Sequence, residues 1–371
     1  MPLVQPVRTA LIGLGYWGPN LLRVFSAQAG CVLARACDKD AARIETQRRR
    51  YPAVEFGTDA EEIFADASIE LVLIATPTST HFALAKKALE AGKHVFIEKP
   101  MASSVAEAEE LCALARKHKK LLFVDHTFAF AAPVVALRSM VERGELGDLL
   151  CFDSVRVNLG LIQRDANVLQ DLAVHDLAIL SAVAPLSTVT SVTAIGHRHF
   201  GEQMEEAHVH LAFPTAFHAH IHVSWLSPVK LRNTTVTGTK AMVTFDDVQP
   251  SEKLRVYDRG VEHDKTKADP SVAAHGAKAD PFFPKYRAGD IRIPALPNTE
   301  TLAVEAEHVL ACVRGLETPR VSGDDGLVVM RILEAANASM ASGSPVKIVR
   351  DGVKVGKAPR ISRISSSTVS Q

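Results

Sequence analysis

The sequence of 371 residues has no surplus of charge of either sign, because 42 Lys and Arg balance 42 Asp and Glu. Chains that wrap nucleic acid or are held on membranes by charge normally show a basic excess or stripe, so neither partner is expected. Long apolar runs are lacking too. Nothing approaches the roughly 18 uninterrupted apolar residues that span a bilayer. Gln5, Pro6 and Arg8 break the apolar start, and neither a membrane helix nor a signal peptide is expected. Cysteine is sparse: Cys31, Cys37, Cys112, Cys151 and Cys312 are odd in number, widely spaced and form no C-x-x-C pair. They fit a reduced, cytoplasmic compartment in which cysteines serve as small buried hydrophobes. Internal repeats are absent as well.

What is present is ordinary globular material, 47% hydrophobic and 23% charged, with enough apolar mass for a real core. At roughly 150 residues per domain, the length suggests two domains. The first 125 residues alternate short β-branched runs with helical stretches. Strands are expected over Val7–Gly13, Cys31–Cys37, Leu71–Ala75, His94–Ile97 and Leu121–Asp125. Helices are expected over Tyr16–Ala27, over His81–Ala91 after a turn at Thr76-Pro77-Thr78, and from a Ser104/Glu107 capping box to about Lys119, with Gly92 as a helix stop. Strands separated by helices need crossover connections, which implies a parallel sheet covered on both faces.

After Phe128 the pattern changes. A helix over about Pro133–Arg143 gives way to long strands with period-two alternation, recurring to about residue 260. Phe217, Ala219, Ile221, Val223 and Trp225 alternate with His218, His220, His222 and Ser224, the pattern of a sheet with one packed and one polar face. Such a face suits a subunit interface. Helical patterns return at Glu300–Arg314 and Gly326–Ala341, followed by a short strand at Pro345–Val349. The Ala-, Pro-, Lys- and Asp-rich stretch from about Asp264 to Pro297 reads as an extended loop, and the Ser-rich end over 357–371 as a disordered tail. The expected organisation is a doubly wound, Rossmann-type α/β domain over residues 1–126, an α/β domain with a large, mostly antiparallel open-faced sheet over 127–350, and a tail over 351–371.

Gly13, Gly15 and Gly18 form G-x-G-x-x-G directly after an expected strand and at the opening of a helix. The first glycine permits the tight turn, the second lets the backbone approach a pyrophosphate, and the third lets the helix pack on the strand. The helix N-terminus then offers free N–H groups to phosphate. Asp38, 23 residues after Gly15 and at the end of the second strand, is placed to accept hydrogen bonds from an adenosine ribose and to repel a 2′-phosphate. NAD is therefore favoured over NADP, although Lys39 next door tempers the preference.

Two further segments carry chemistry: Gly92-Lys93-His94-Val95-Phe96-Ile97-Glu98-Lys99-Pro100 and Asp171-Leu172-Ala173-Val174-His175-Asp176. Lys99 follows a strand end at the sheet edge where open α/β folds bind ligands, with Pro100 favouring an extended conformation before it. Asp171 and His175 are four apart in an expected helix, so they share a face and the carboxylate can orient the imidazole.

With GLGYWGPN, ATPTSTH, AGKHVFIEKP and DLAVHD in this order, the chain resembles the Gfo/Idh/MocA family of sugar and cyclitol oxidoreductases over about residues 7–350. The stretches HVSWLSPVKLR and VTGTKAMVTFDD are similar to the second domain of members found with nucleotide-sugar and polysaccharide biosynthesis. The resemblance implies an NAD(P)-dependent dehydrogenase that reversibly oxidises a secondary hydroxyl of a sugar, and a large open sheet that builds homodimers or homotetramers. It makes Lys99 the group that binds the reacting hydroxyl, His175 the proton acceptor and Asp171 its orienting carboxylate. It places Gly13, Gly15, Tyr16, Trp17 and Gly18 in the dinucleotide loop, Ala75, Thr76, Pro77 and His81 on the nicotinamide side, and Glu98 against the cofactor.

The chemistry follows, because hydride removal from a carbinol carbon requires the hydroxyl proton to leave almost together with it. Histidine, with an unperturbed pKa of about 6.5, suits that transfer near neutral pH, and a lysine ammonium stabilises the developing alkoxide. Arg156 and Asn158, on a strand before the catalytic helix, are candidates for contacting a substrate carboxylate, phosphate or hydroxyl, since the arginine fork pairs well with oxyanions. By analogy with the family, the leading substrate is the 3-hydroxyl of a UDP-linked N-acetyl sugar or its uronic acid. An inositol or free sugar is the alternative, and a non-catalytic NAD-binding regulatory protein is the reading from another class. His218, His220 and His222 project to one side, but no carboxylate or cysteine lies within that short alternation, and no metal is expected.

Overall fold

The β-branched runs near the start of the chain form a sheet of six strands: β1 (Val7–Ile12), β2 (Cys31–Cys37), β3 (Glu55–Gly57), β4 (Leu71–Ile74), β5 (His94–Ile97) and β6 (Leu122–Val124). Their order is β3-β2-β1-β4-β5-β6 and every pairing is parallel. Successive side chains of a strand point to opposite faces, so this sheet feeds two cores. Val7 and Leu11 of β1 pack in one layer with Leu21 and Phe25 of α1 (Gly18–Ser26) and with Leu302 and Val309 of the helix Thr301–Val313. Ala10 and Ile12 join the other layer with Ala85 and Leu89 of α4 (Thr78–Glu90) and Leu111 of α5 (Val105–His118). The order reverses direction between β1 and β4, the place where such sheets open a crevice at their strand ends.

The computed structural model describes residues 5–160, 162, 166–263 and 284–348. Two units are each assembled from separate stretches: Met1–Ala132, Leu169–Ser181 and Pro297–Ala338 make the first, and Pro133–Val168, Ala182–Leu296 and Ser339–Gln371 the second. In the first unit Ser104 caps α5 as its spacing with Glu107 predicts, accepting from the Glu107 N–H at 3.2 Å. Several boundaries differ from expectation. α1 begins at Gly18 rather than Tyr16, and α4 begins at Thr78, within the expected turn. Helices α2 (Ala41–Arg48) and α3 (Glu61–Ala65) and strand β3 had no periodic signal strong enough to place them.

The second unit contains the helix α6 (Ala132–Glu142, from Pro133 onward) and a nine-stranded sheet. Its strands are β7 (Leu149–Leu159), β8 (Ser191–His197), β9 (Glu206–Ala212), β10 (His218–Ser224), β11 (Leu226–Gly238), β12 (Met242–Asp246), β13 (Leu254–His263), β14 (Pro284–Arg292) and β15 (Val346–Lys347). The order is β14-β13-β12-β11-β7-β10-β9-β8-β15, antiparallel except for β7 with β10. The alternation read in β10 holds through Val223, with Ala219, Ile221 and Val223 buried and His218, His220 and His222 partly or fully exposed, but Ser224, expected on the polar face, is buried and accepts from the Leu226 N–H at 3.1 Å. The expected loop from Asp264 to Pro297 is corrected in part, since Pro284–Arg292 pairs with β13 as a strand. A Pro-, Lys- and Asp-containing edge strand carries no apolar alternation to reveal it. Residues 264–283 of that loop and the tail over 351–371 lie outside the described residues.

Candidate active site

Four backbone hydrogen bonds continue the first sheet one residue beyond its strands. Gly13 N–H donates to Cys37 O at 2.8 Å, Ala75 N–H to Ile12 O at 2.8 Å, Glu98 N–H to Ile74 O at 3.0 Å and Asp125 N–H to Ile97 O at 2.8 Å. Gly13, Ala75, Glu98 and Asp125 therefore form a row along the carboxyl edge of the sheet, with Asp38 at the end of β2 beside them. A methyl group on Gly13, where φ is +100°, would lie 2.4 Å from Ala75 O, and one on Gly18 would lie 2.0 Å from Gly13 O. Those two positions are closed to any side chain by neighbouring backbone. Around Gly15 only Arg43 Nη1, at 3.5 Å, lies within 4 Å of the equivalent point. The loop thus has room over its middle glycine at the start of the nine-residue helix α1, and Tyr16 is almost wholly exposed beside it. A dinucleotide pyrophosphate fits that arrangement.

Asp38 ties this loop down. Its Oδ2 accepts from the Leu14 N–H at 2.6 Å and its Oδ1 from the Asp40 N–H at 2.8 Å. Arg43, which the sequence reading did not single out, places Nη1 3.6 Å from Asp38 Oδ2. The carboxylate is thus both a brace for the glycine turn and half of an ion pair.

On the other side of the switch point, Thr76 and Pro77 lead into α4, and Thr80 Oγ1 donates to Thr76 Oγ1 at 2.8 Å. His81, expected to line the nicotinamide side, is 1% exposed. Its Nδ1 lies 2.9 Å from Pro100 O and its Nε2 2.8 Å from Thr76 O. Burial pushes its pKa below the ordinary histidine value. The imidazole ties the Thr76 loop to the Lys99-Pro100 segment.

Glu98 turns inward. Its Oε2 accepts from the Lys99 N–H at 3.1 Å, while its Oε1 is buried without a hydrogen bond. Burial, reinforced by the neighbouring Asp125 carboxyl, pushes its pKa well above the usual carboxylate range. Glu305, on the helix Thr301–Val313, is 1% exposed and is shifted the same way, by burial first and then by Asp125 and Glu98. Asp125 accepts from Trp17 Nε1–H at 3.0 Å and from the Thr127 hydroxyl, so Trp17 of the dinucleotide loop is anchored on this acidic group. Sequence reasoning missed Asp125 and Glu305. The available signals were position, since Asp125 follows β6 as Glu98 follows β5, and incongruity, since Glu305 sits next to Ala306 on a helix face otherwise supplied by Leu302 and Val309.

Lys99 and Asp171, 72 residues apart, meet in the first unit. The Lys99 ammonium donates to Asp171 O at 2.9 Å and lies 3.4 Å from Asp171 Oδ1. The lysine side chain is 19% exposed and the aspartate 28%, so both remain partly open to solvent. The expected regular helix through Asp171 and His175 is corrected. Leu169–Ala173 takes the wider π geometry and only Val174–Leu180, α7, is α-helical. The spacing of Asp171 and His175 is therefore not that of a regular α-helix, and the π turn brings the Asp171 carbonyl to Lys99. His175 is half-buried, its ring edge-on to Phe128 with centroids 5.3 Å apart. Single π turns recur at functional sites.

In the second unit, Arg156 and Asn158 lie on β7, Arg156 paired with Val223 of β10 and Arg232 of β11. Arg156 is 2% exposed, while Asn158 is intermediate.

Residues 7–126 match the GFO_IDH_MocA family, an oxidoreductase family with an NAD-binding Rossmann fold, and residues 134–244 match the GFO/IDH/MocA C-terminal domain. Over 358 residues the chain is 24% identical to scyllo-inositol 2-dehydrogenase (NAD(+)) of Bacillus subtilis (strain 168), covering 92% of this chain and 96% of that protein. Its fold is similar to that of levoglucosan dehydrogenase in complex with NADH and levoglucosan, with a TM-score of 0.77 at 19% identity, covering 93% of this chain and 100% of that one. It is likewise similar to the WlbA dehydrogenase from Bordetella pertussis in complex with NADH and UDP-GlcNAcA, with a TM-score of 0.75 at 17% identity, covering 94% and 100%.

Proposed function

Because the chain belongs to the Gfo/Idh/MocA family of NAD-binding oxidoreductases, we propose that it reversibly oxidises a secondary hydroxyl of a sugar or cyclitol ring, with Lys99 and His175 handling the hydroxyl. The observation that carries this reading is the Lys99 ammonium seated 2.9 Å from the Asp171 carbonyl, on the π turn that leads directly into α7. NAD would be held by the Gly13–Gly18 loop, with Asp38 and Arg43 near its adenosine end and Ala75, Thr76 and Pro77 near its nicotinamide. Glu98, its carboxyl buried against Asp125, is a further candidate for contacting the coenzyme. When bound, the coenzyme supplies the hydride acceptor.

The rest falls to the chain's own side chains. Lys99, fixed at its ammonium by Asp171, presents a positive charge to the substrate oxygen and lowers the cost of its losing a proton. His175 takes that proton at a ring nitrogen, with Phe128 restricting the imidazole's rotation. Asp171 positions the ammonium through its carbonyl and carboxylate, and His81 keeps the Thr76 and Pro100 segments in register. Arg156 and Asn158 are the candidates for binding a substrate carboxylate, phosphate or hydroxyl.

The substrate we favour is the 3-hydroxyl of a UDP-linked N-acetyl sugar or its uronic acid, in line with the ligand in the WlbA complex. The second reading, an inositol or free sugar, is favoured by the likeness to scyllo-inositol 2-dehydrogenase over nearly the whole chain. The same proposal assigns the histidine-bearing face of the open sheet to a homodimer or homotetramer interface. Among the described residues no helix is long and apolar enough to cross a membrane.

The test is NADH formation from NAD across UDP-sugars, inositols and free aldoses. Turnover with a UDP-sugar is the expected result, and turnover with inositols or aldoses alone transfers the assignment to the second reading. A chain that binds NADH yet reduces NAD with none of the three classes is a binding protein, and the enzymatic reading is then wrong.

A further inference from the structure

Three side chains of the second sheet converge in a way that alternation along a single strand does not reveal. Glu206 and His208 are two apart on β9 and so project to one face. His222 of β10 stands directly opposite His208 in the antiparallel register. Glu206 Oε1 lies 3.4 Å from His222 Nε2 and 3.6 Å from His208 Nε2. The two imidazoles stack with centroids 4.1 Å apart and planes 9° apart, and one ligand-type atom from each of the three residues lies within 4.8 Å of the other two. We propose that Glu206, His208 and His222 form a binding site for a divalent transition-metal ion of the zinc class.

The geometry is close to what such an ion needs. With metal–nitrogen and metal–oxygen bonds of about 2.0–2.2 Å, tetrahedral donors stand roughly 3.3–3.5 Å apart. The two carboxylate–imidazole separations are already near that value, and coordination requires the imidazoles to turn out of their stack so that both Nε2 lone pairs meet the same centre. His222 Nε2 is buried, and its polar neighbour across the strands is Glu206 Oε1, 3.4 Å away. Two imidazoles and one carboxylate suit zinc, cobalt or nickel; magnesium and calcium prefer all-oxygen sets. A cavity of about 320 Å³, lined by Asp153, Thr193, His210 and His220 as well as the two histidines, lies on the same face. The sequence reading expected no metal because no acidic residue lies between His218 and His222, and the carboxylate arrives from the adjacent strand.

The test uses the full-length, untagged chain, stripped with chelator and freed of it, then titrated with Co²⁺ while its visible absorption is followed. One equivalent is expected to bind at micromolar concentration or tighter, with the intense bands of low-coordinate cobalt, and Zn²⁺ should displace it. Glu206→Gln and His222→Ala should each weaken binding at least tenfold, whereas His118→Ala, on α5 of the first unit, should leave it unchanged. The unfolding midpoint of each stripped variant checks that the sheet is intact, and Glu206→Gln, nearly isosteric, serves if His222→Ala does not fold. Binding no tighter than millimolar, or equal affinity in Glu206→Gln and the unaltered chain, overturns the proposal.

Discussion

The two sheets of this molecule keep their chemistry in different places. The first is parallel and covered on both faces, so its functional groups sit in a single row where the strands end. The second is mostly antiparallel and displays Glu206, His208, His210, His218, His220 and His222 across a broad face. A row at strand ends is set by local turns, and local turns impose residue types that are visible in sequence. A constellation on a face is set by register between strands, and register leaves no comparable mark. The difference separates what can be read directly from what has to be seen folded.

The largest effect that would sharpen this contrast comes from Lys99, which follows Glu98 of the strand-end row, and His175 of α7. Lys99→Ala and His175→Ala should each lose about 10²-fold or more in turnover while NADH binding, measured by fluorescence titration, stays within a few-fold. Near-normal turnover in either variant removes that residue from the mechanism. Next come the glycines. Gly18→Ala forces a methyl to within 2.0 Å of Gly13 O and should cost about 2–3 kcal/mol in urea unfolding. Gly15→Ala meets only Arg43 Nη1 and should keep stability within about 0.5 kcal/mol while weakening NADH binding. Equal destabilisation of the two variants would mean the loop is uniformly packed and has no room reserved over its centre.

A smaller effect tests the buried acids. Glu305 has a folded-state pKa well above the usual carboxylate value, by burial first and then by Asp125 and Glu98. Above about pH 4.3 the unfolded chain releases this proton while the folded chain keeps it, so stability falls as pH rises through that window toward the folded pKa. Glu305→Gln should therefore be more stable than the unaltered chain at pH 8, by about 1.4 kcal/mol for every tenfold by which folding tightens the carboxyl's hold on its proton, and the gap should close toward pH 4. A pH-independent difference would break the assignment of a protonated acid. The smallest effect concerns coenzyme choice: Asp38→Asn should shift the NADPH to NADH affinity ratio toward NADPH by about 5–10-fold through the loss of one repulsive charge. An unchanged ratio would mean that Asp38 serves only as the brace of Leu14.

Much of the first sheet was legible because glycine spacing, strand–helix alternation and the Ser104 cap are each local. Gly13 and Gly18 had to be glycine, and their backbone neighbours explain why. The seat of Lys99 on Asp171 was not deducible from spacing, since 72 residues separate them, and the family resemblance assigned Asp171 to His175 rather than to Lys99. The π turn at Leu169–Ala173 was invisible because a π and an α turn draw on the same residue types. Asp125 and Glu305 were overlooked because a buried carboxyl among apolar neighbours looks like an interruption of a pattern rather than part of one. In the second sheet the alternation of β10 was plain, but its register against β9, which brings Glu206 beside His222, was not.

The first unit is stitched from three separated stretches of chain, and that has a practical corollary. A gene truncated after residue 126 would encode all six parallel strands yet omit Leu302, Ala306, Val309 and Leu310, which help fill one side of them, and Asp171, which steadies the Lys99 ammonium. The nucleotide-binding half therefore cannot be harvested as an N-terminal fragment. Engineering that grafts or swaps it must carry the two later segments along, or supply substitutes for the oily surface their removal would bare.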